Sequence, residues 1–449
     1  MSVVGLTCAV LYAHLAYRSQ AYGQAELFDL GLICGLAALL SFGLWFYYHK
    51  SHQAVPLAQL LFWAALFRVI GIFGYPVLED DYFRYLWDGY MLVEHGSPYA
   101  IPPSMFFDDS TLADAFQVIL GYINYPDIAT VYGPVSQWSF GLAYYMAPAE
   151  VWPLQFLYGL ADFLIVLALT RLAKAKTVIL YAFSPLLIKE FSFSAHVDVL
   201  AVLFVVLALW SFIKQHYLVM AALLALAVGS KIFAIIIAPL LLGLRLKAWC
   251  IFGLVLVAIT AAYFPSNPWL TGGLGAMTDI WLFNAPFYLM LDYFQSLAVA
   301  PESIPLTAIT QGPLSWWTLS VASKFLLLAI FSGIWCLYLF HYLSRERKSS
   351  VAQLPRGDWL FGLFFLCSPV VNPWYLVWIL PFATIYPSYW AWVASVSVLL
   401  SYAVGINLLN SDLDLYQQPA ALVILEYALI FIAVIVDLKF RNNFVPSRK

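Results

Sequence analysis

Charge is what this chain has least of. Only 10% of its 449 residues are Asp, Glu, Lys or Arg, and 63% are hydrophobic. A soluble domain is about half apolar and about a quarter charged. With a mean hydropathy of +0.85, a soluble globular fold is excluded and an integral membrane protein remains. The net charge of -3 is unremarkable, and no nucleic-acid partner is expected. Cysteine is scarce too. Cys8, Cys34, Cys250, Cys336 and Cys367 sit in apolar runs without metal-ligand spacing, and read as free buried thiols. No basic stretch precedes the first apolar run, which therefore reads as a membrane segment rather than a cleaved signal. There is no repeat of fixed period and no low-complexity tract.

Apolar runs are what the chain does have, from 2–17 through to 420–438. A spanning helix needs roughly 20 mostly apolar residues. The expected fold is all-α and polytopic, one domain over 1–449 with about 12 to 14 transmembrane helices, some of them short, broken or tilted. Three stretches are too polar or too rich in Pro and Gly to span: 77–134, 265–313 and 407–419. The first carries nine acids and a single basic residue, Arg84, while the other two have no Lys or Arg. Fifteen of the 21 Lys and Arg gather elsewhere, at Lys50, Arg171–Lys176, Lys214, Arg245–Lys247, Arg345–Arg356 and Lys439–Lys449. By the positive-inside rule those mark the cytoplasmic face, and the three polar stretches face outward. One parity problem follows. Between the outer loop at 77 and the inner cluster at Arg171, the chain must cross once, yet 135–171 holds two apolar runs. Either 135–148 is re-entrant or the Arg171 cluster breaks the rule.

Six basic residues fit neither group: Arg18, Arg68, Arg84, Lys189, Lys231 and Lys324. A charge at membrane depth costs at least a few kcal/mol and usually faces an internal cavity and a partner. Snorkelling or a structural ion pair is the plainer account of each.

The densest polar stretch is "EDDYFRYLWDG" (79–89). As a helix it puts Asp81, Arg84, Tyr85 and Asp88 on one face, at i, i+3, i+4 and i+7. Amphipathic helices are therefore expected in the first large outer loop. Neighbouring like charges raise one carboxylate's pKa and an arginine lowers it, and a carboxylate so tuned can serve as a general base. The arginine can hold a phosphate or orient that base. The bland alternative is an amphipathic helix whose acids face water.

Further motifs follow in order. "HGSPY" (95–99) and "INYPDIATVYGPVSQWSF" (123–140) are turn-rich, and Tyr132 stands where the loop returns to the membrane. "FSPLLIKEFSFSAHVDVLAVLF" (183–204) places Lys189, Glu190, His196 and Asp198 around one outward turn. His196 and Asp198 could bind a metal, but are equally able to pair with each other. "VGSKIFAIIIAPLLL" (228–242) sets Lys231 at a span end. "SPVVNPWYLVWILPF" (368–382) is broken by proline and rich in aromatics. Trp374 and Tyr375 there belong to an interfacial belt or line a sugar pocket, stacking on the C–H faces of a pyranose.

Taken in order, these motifs resemble the GT-C class of polytopic glycosyltransferases, and within it the bacterial polyprenol-phosphomannose-dependent mannosyltransferases. The resemblance runs from about residue 57 to 386 and is carried by "EDDYFRYLWDG", "HGSPY", "TVYGP", "SPLLIKEFSFSAHVD", "GSKIFAIIIAPLLL" and "NPWYLVWILPF". It is specific for the class and not for the sugar. It implies a multi-pass enzyme of the bacterial inner membrane. Sugar, mannose by resemblance alone, would move from a polyprenyl-phosphate donor to a glycolipid or glycan acceptor on the outer side, with inversion. The loop 77–134 would be catalytic and 265–313 the second outer loop. Asp81 matches the family's acid four residues before the Tyr of the Arg-Tyr pair and is the expected base, with Asp80 second. Arg84 would contact donor phosphate or orient the base, with Tyr85, Asp88 and Tyr132 beside it. His196 and Asp198 would bind donor or acceptor, and Lys231, rivalled by Lys189, would neutralise the leaving phosphate. The chain departs from the pattern in having Glu79 before the Asp pair and no soluble C-terminal domain. Acceptor recognition is thus expected from the outer loops, the membrane cavity and surrounding lipid.

No obligatory cofactor is expected. Glu79–Asp81 with His196 and Asp198 could gather a divalent cation, since hard cations prefer oxygen ligands. A lipid monophosphate donor does not require one. The competing reading is a transporter or flippase. That architecture would show two related halves with broken helices at matching places; no such symmetry is visible, and the charges cluster toward the outer face.

Overall fold

The computed structural model describes residues 1–19, 24–76, 78–99, 101–261, 263, 282–298, 319–344, 350–409 and 418–440. The flanks of the expected second outer loop, 265–281 and 299–313, most of 407–419, and the basic residues Arg345, Arg347, Lys348, Arg441, Arg448 and Lys449 lie outside them. The fold is all-α. Among the described residues the only β pairing is an isolated bridge between Phe283 and Val370.

Among the described residues four helices are long and apolar enough to cross a membrane: Asp29–Ser51, Trp152–Leu172, Ala322–Ser344 and Ala420–Lys439. Pro185–Phe193 and Asp198–Ile213 pass the same test jointly but meet at a bend of 119°. Five shorter apolar helices accompany them: Leu57–Ile72, Tyr217–Ser230, Ile232–Leu242, Leu246–Ala261 and Tyr389–Val404. The chain is a polytopic membrane protein.

Six elements position the site. Helix α1 (Leu57–Ile72) leads into the acid-rich loop 77–134. Helix α2 (Asp81–His95) starts with an acid at its positive end. It stops at Gly96, whose φ of 76° suits the left-handed C-terminal position that glycine adopts without strain. Helix α3 (Pro134–Met146) begins with proline, whose missing N–H costs nothing there. Helix α4 (Trp152–Leu172) packs on α1, and α5 (Asp198–Ile213) follows the bend. Helix α6 (Tyr217–Ser230) ends just before Lys231.

Close backbone approach sets these elements. A methyl group at Gly89 of α2 would lie 2.6 Å from the Phe140 carbonyl oxygen of α3. One at Gly71 of α1 would lie 2.4 Å from Ser192 Cβ. Ser192 belongs to a π-helical turn, Ile188–Phe193, fully buried throughout. Such turns are rare and recur at functional sites. Below it Arg68 of α1 is also buried. Its Nε donates to Asp162 Oδ2 of α4 at 2.9 Å, and its Nη1 to the Ala182 carbonyl at 2.7 Å. Tyr181 donates to the other Asp162 oxygen at 3.0 Å. The stray charge at Arg68 is thus a structural ion pair.

Two expectations change. The turn at 183–204 is not an open one: Lys189, Glu190, His196 and Asp198 are all buried among neighbouring helices. The five cysteines are free, yet only Cys8 and Cys34 are buried, while Cys250 and Cys336 are exposed and Cys367 is half-buried. On a membrane protein an apolar thiol is satisfied facing lipid as well as facing the core.

Candidate active site

The site begins where the chain leaves α1. Leu78, with φ of 55°, turns the backbone so that Glu79 points inward and Asp80 and Asp81 flank the start of α2. Asp80 accepts a hydrogen bond from Asn124 Nδ2 at 2.5 Å. Asp81 accepts from the Tyr85 hydroxyl at 3.5 Å. Arg84 Nε donates to Asp88 at 2.9 Å, and Nη2 to the Ile128 carbonyl at 3.0 Å. Asp88 is buried; it also accepts from Thr130, and from Gln137 Nε2 at 2.8 Å. Asp88 therefore fixes Arg84 and the segment leading to Tyr132 rather than facing open space. Asp80, Asp81, Arg84, Asn124, Tyr125 and Tyr132 line a pocket with about 50 Å³ of space for water.

Behind Asp81 lies a buried charged cluster. Lys189 Nζ is 3.0 Å from Glu79 and 3.3 Å from Glu190. The Tyr402 hydroxyl is 2.5 Å from Glu79 and 2.8 Å from Glu190, and Lys189 also meets it. His196 Nε2 lies 3.4 Å from Glu79 and 3.3 Å from Glu190. Its Nδ1 lies 3.9 Å from Asp81 and 3.5 Å from the Tyr85 hydroxyl. The imidazole stacks on Trp374, centroids 4.1 Å apart. Glu79, Glu190 and His196 are the residues that could hold a divalent cation: one ligand atom from each lies within 4.8 Å of the others.

A second pair stands beside it. Lys231 Nζ is 3.1 Å from Asp198 Oδ2, whose other oxygen accepts from Trp378 Nε1 at 2.8 Å. Lys231 faces the rings of Tyr375, Phe233 and Tyr132 at 5.5, 5.6 and 6.0 Å. His196 and Asp198 do not pair with each other. Each is claimed by a different cation or ring system.

The loop acids divide by environment. Burial pushes Glu79 up, but the charges of Lys189 and His196 outweigh it and hold Glu79 down at about 2. Asp80 is raised to about 7 by burial and by the charges of Asp81 and Glu79, against the Asn124 bond. Asp81 is raised by burial, opposed by His196 and Lys231. Exposure sets Asp81 apart from the acids behind it, while Asp80 lines the same pocket. The side chain of Asp81 is 22% exposed, against 4% for Glu79, 0% for Glu190 and 1% for Asp198. Of these four carboxylates, Asp81 is the most exposed.

The family model described as alpha-(1->6)-mannopyranosyltransferase, N-terminal domain, matches residues 9–247, more than half of the chain. The chain belongs to this family. It is a GT-C-like membrane mannosyltransferase, and so an enzyme. No curated protein and no solved structure matches it.

The mannosyltransferase brings the residues singled out in its sequence into contiguous groups. Asp80, Asp81, Arg84 and Tyr132 line the pocket. Tyr85, His196, Lys189 and Trp374 lie behind it, and Asp198, Lys231 and Tyr375 beside it. Sequence reasoning missed Glu190 as a site residue, together with Tyr402, Trp378, Asn124, Thr130 and Gln137. Glu190 carried a signal, an acid next to an intramembrane lysine. Asp162 carried one too, as the single acid in the apolar run of α4. Tyr402 and Trp378 carried none, because the chain has 29 Tyr and 17 Trp and nothing local separates a site ring from a lipid-facing one.

Proposed function

We propose that the enzyme transfers mannose from a polyprenyl-phosphate donor to the 6-hydroxyl of a mannosylated glycolipid or glycan, on the extracytoplasmic side of the bacterial inner membrane. The family's printed linkage suggests the 6-hydroxyl. A single displacement yielding an alpha product inverts a β-linked donor. Asp81 removes the acceptor proton, the freed oxygen bonds to the anomeric carbon, and the carbon–phosphate-oxygen bond breaks. Its electron pair leaves on the lipid phosphate, where Lys231 and Arg84 meet the growing charge. The observation that carries this reading is the exposure of Asp81 in the pocket, with His196 and the ammonium of Lys231 near it.

On this reading residues 1–449 form one domain with 77–134 as catalytic loop and 265–313 as second outer loop. The shorter apolar helices and the bent pair add to the four full-length spans, for about 12 to 14 in all. Helix α3, of 13 residues, is roughly 20 Å long. That is too short for a core about 30 Å thick, which supports a re-entrant α3 and a single crossing by α4. Tyr85, Asp88, Lys189, His196, Asp198, Trp374 and Tyr375 then shape and charge the cavity. Asp80 is the second candidate for the base.

The test uses enzyme in liposomes with radiolabelled polyprenyl-phosphate mannose and a membrane extract as acceptor source, with polyprenyl-phosphate glucose in parallel. Wild type should label a new product from the mannose donor and Asp81→Asn should not. Transfer by Asp81→Asn at the wild-type rate would move the base elsewhere. Transfer from the glucose donor alone would overturn the sugar.

A further inference from the structure

The buried cluster behind Asp81 has the donor set of a cation site. Two carboxylates and one imidazole nitrogen suit zinc or manganese, and their ligand atoms lie within 4.8 Å of one another. Two further observations mark it as more than a group of acids. His196 Nε2 is buried without a hydrogen-bond partner and is aimed between Glu79 and Glu190, at 3.4 and 3.3 Å. An ammonium already engages both carboxylates: Lys189 Nζ bonds Glu79 Oε1 at 3.0 Å and Glu190 Oε2 at 3.3 Å, with its charge over the Tyr402 ring at 3.9 Å.

A metal ion would bind the same two carboxylates at about 2.0–2.2 Å, competing with the ammonium for Glu190 Oε2. It cannot share them with a lysine ammonium, because two cations so close in a water-poor interior repel strongly. The lysine is anchored on the π-turn, which is buried and closely approached by α1. Glycine at 71 is needed merely to let α1 approach Ser192 of that turn.

We propose that Lys189 fills, as a built-in ammonium, a divalent-cation site formed by Glu79, Glu190 and His196. The native enzyme then carries its positive charge behind Asp81 without metal, and a chain lacking the lysine amine takes up one divalent cation there. The binding readout does not depend on which acid is the catalytic base. Its failure and failure of the transferase reading are therefore told apart.

The experiment titrates Mn²⁺ into purified full-length enzyme in detergent, followed by electron paramagnetic resonance and calorimetry. Lys189→Ala and Lys189→Met should each bind one Mn²⁺ per chain, at least 100-fold more tightly than wild type. Adding Glu190→Gln to either should abolish that binding, and Mn²⁺ should raise the unfolding temperature of the lysine variants but not of wild type. A wild-type Mn²⁺ site removed by Glu190→Gln would overturn the proposal. Folded lysine variants that bind no Mn²⁺ would do the same. So would lysine variants that stay unfolded when Mn²⁺ is present throughout purification, because the ion should replace the missing charge.

Discussion

Asp81 and Asp80 stand side by side in sequence but differ in what surrounds them, and the account assigns them different work. A positioned general base contributes typically 10²–10⁴-fold, so Asp81→Asn should cut the transfer rate by about that factor while leaving the protein folded. Asp80→Asn should cost far less activity and instead show in stability. The folded-state pKa of Asp80 is raised from 3.8 to about 7. Its contribution to stability is therefore present below pH 3.8 and lost as pH rises through about 7. Replacing it with Asn removes that loss. Thermal unfolding in detergent should find Asp80→Asn gaining on wild type between pH 4 and pH 8; a constant offset would contradict the assigned environment. The acid motif was legible because a chain so poor in charge does not cluster acids at a membrane edge without cause. The division of labour within it was not. It depends on Asn124, His196 and Lys231, which chain folding brings close from 44, 115 and 150 residues away.

Elements decide how firmly those residues are held. Arg68 and Asp162 tie α1 to α4 through a fully buried ion pair. Removing one partner leaves the other charge stranded, a loss of about 3–5 kcal/mol in buried pairs. Arg68→Met alone should therefore destabilise strongly, and Arg68→Met with Asp162→Leu should recover most of the loss. Equal unfolding temperatures for the single and double variants would contradict the pairing. Packing of α2 on α3 rests on Gly89, where a side chain meets the Phe140 carbonyl. Gly89→Val should cost about 1–3 kcal/mol, as overpacking does, and should reduce transfer as α2 shifts Asp81. The sequence marked Arg68 as anomalous and α2 as amphipathic. It did not reveal the π-turn at 188–193 or the 119° bend after it, because an apolar run reads the same whether straight or broken. That is why Lys189 and His196 were expected at a turn and are found buried in the core.

At the scale of the whole molecule the account makes the outer loop 77–134 and the basic stretch Arg171–Lys176 lie on opposite faces, with α4 the single crossing between them. In sealed cells, a membrane-impermeant thiol reagent should label Asp109→Cys and spare Lys174→Cys, both in a background lacking the native cysteines. The reverse pattern would invert the topology and strand the acids on the wrong side. Composition made the membrane class and the all-α fold readable, since only helices satisfy their own backbone across lipid in such a chain. Span number was harder to read, because half-length helices and full spans have equally apolar sequences. The central claim is that Asp81 acts in the chemical step and not in holding the donor. The most direct measurement is a single-turnover assay with polyprenyl-phosphate mannose pre-bound in liposomes, recording donor affinity and transfer rate for wild type and Asp81→Asn. The account predicts unchanged donor affinity and a transfer rate lower by at least 100-fold, as for loss of a general base. Weakened donor binding with an unchanged rate for the bound fraction would contradict it.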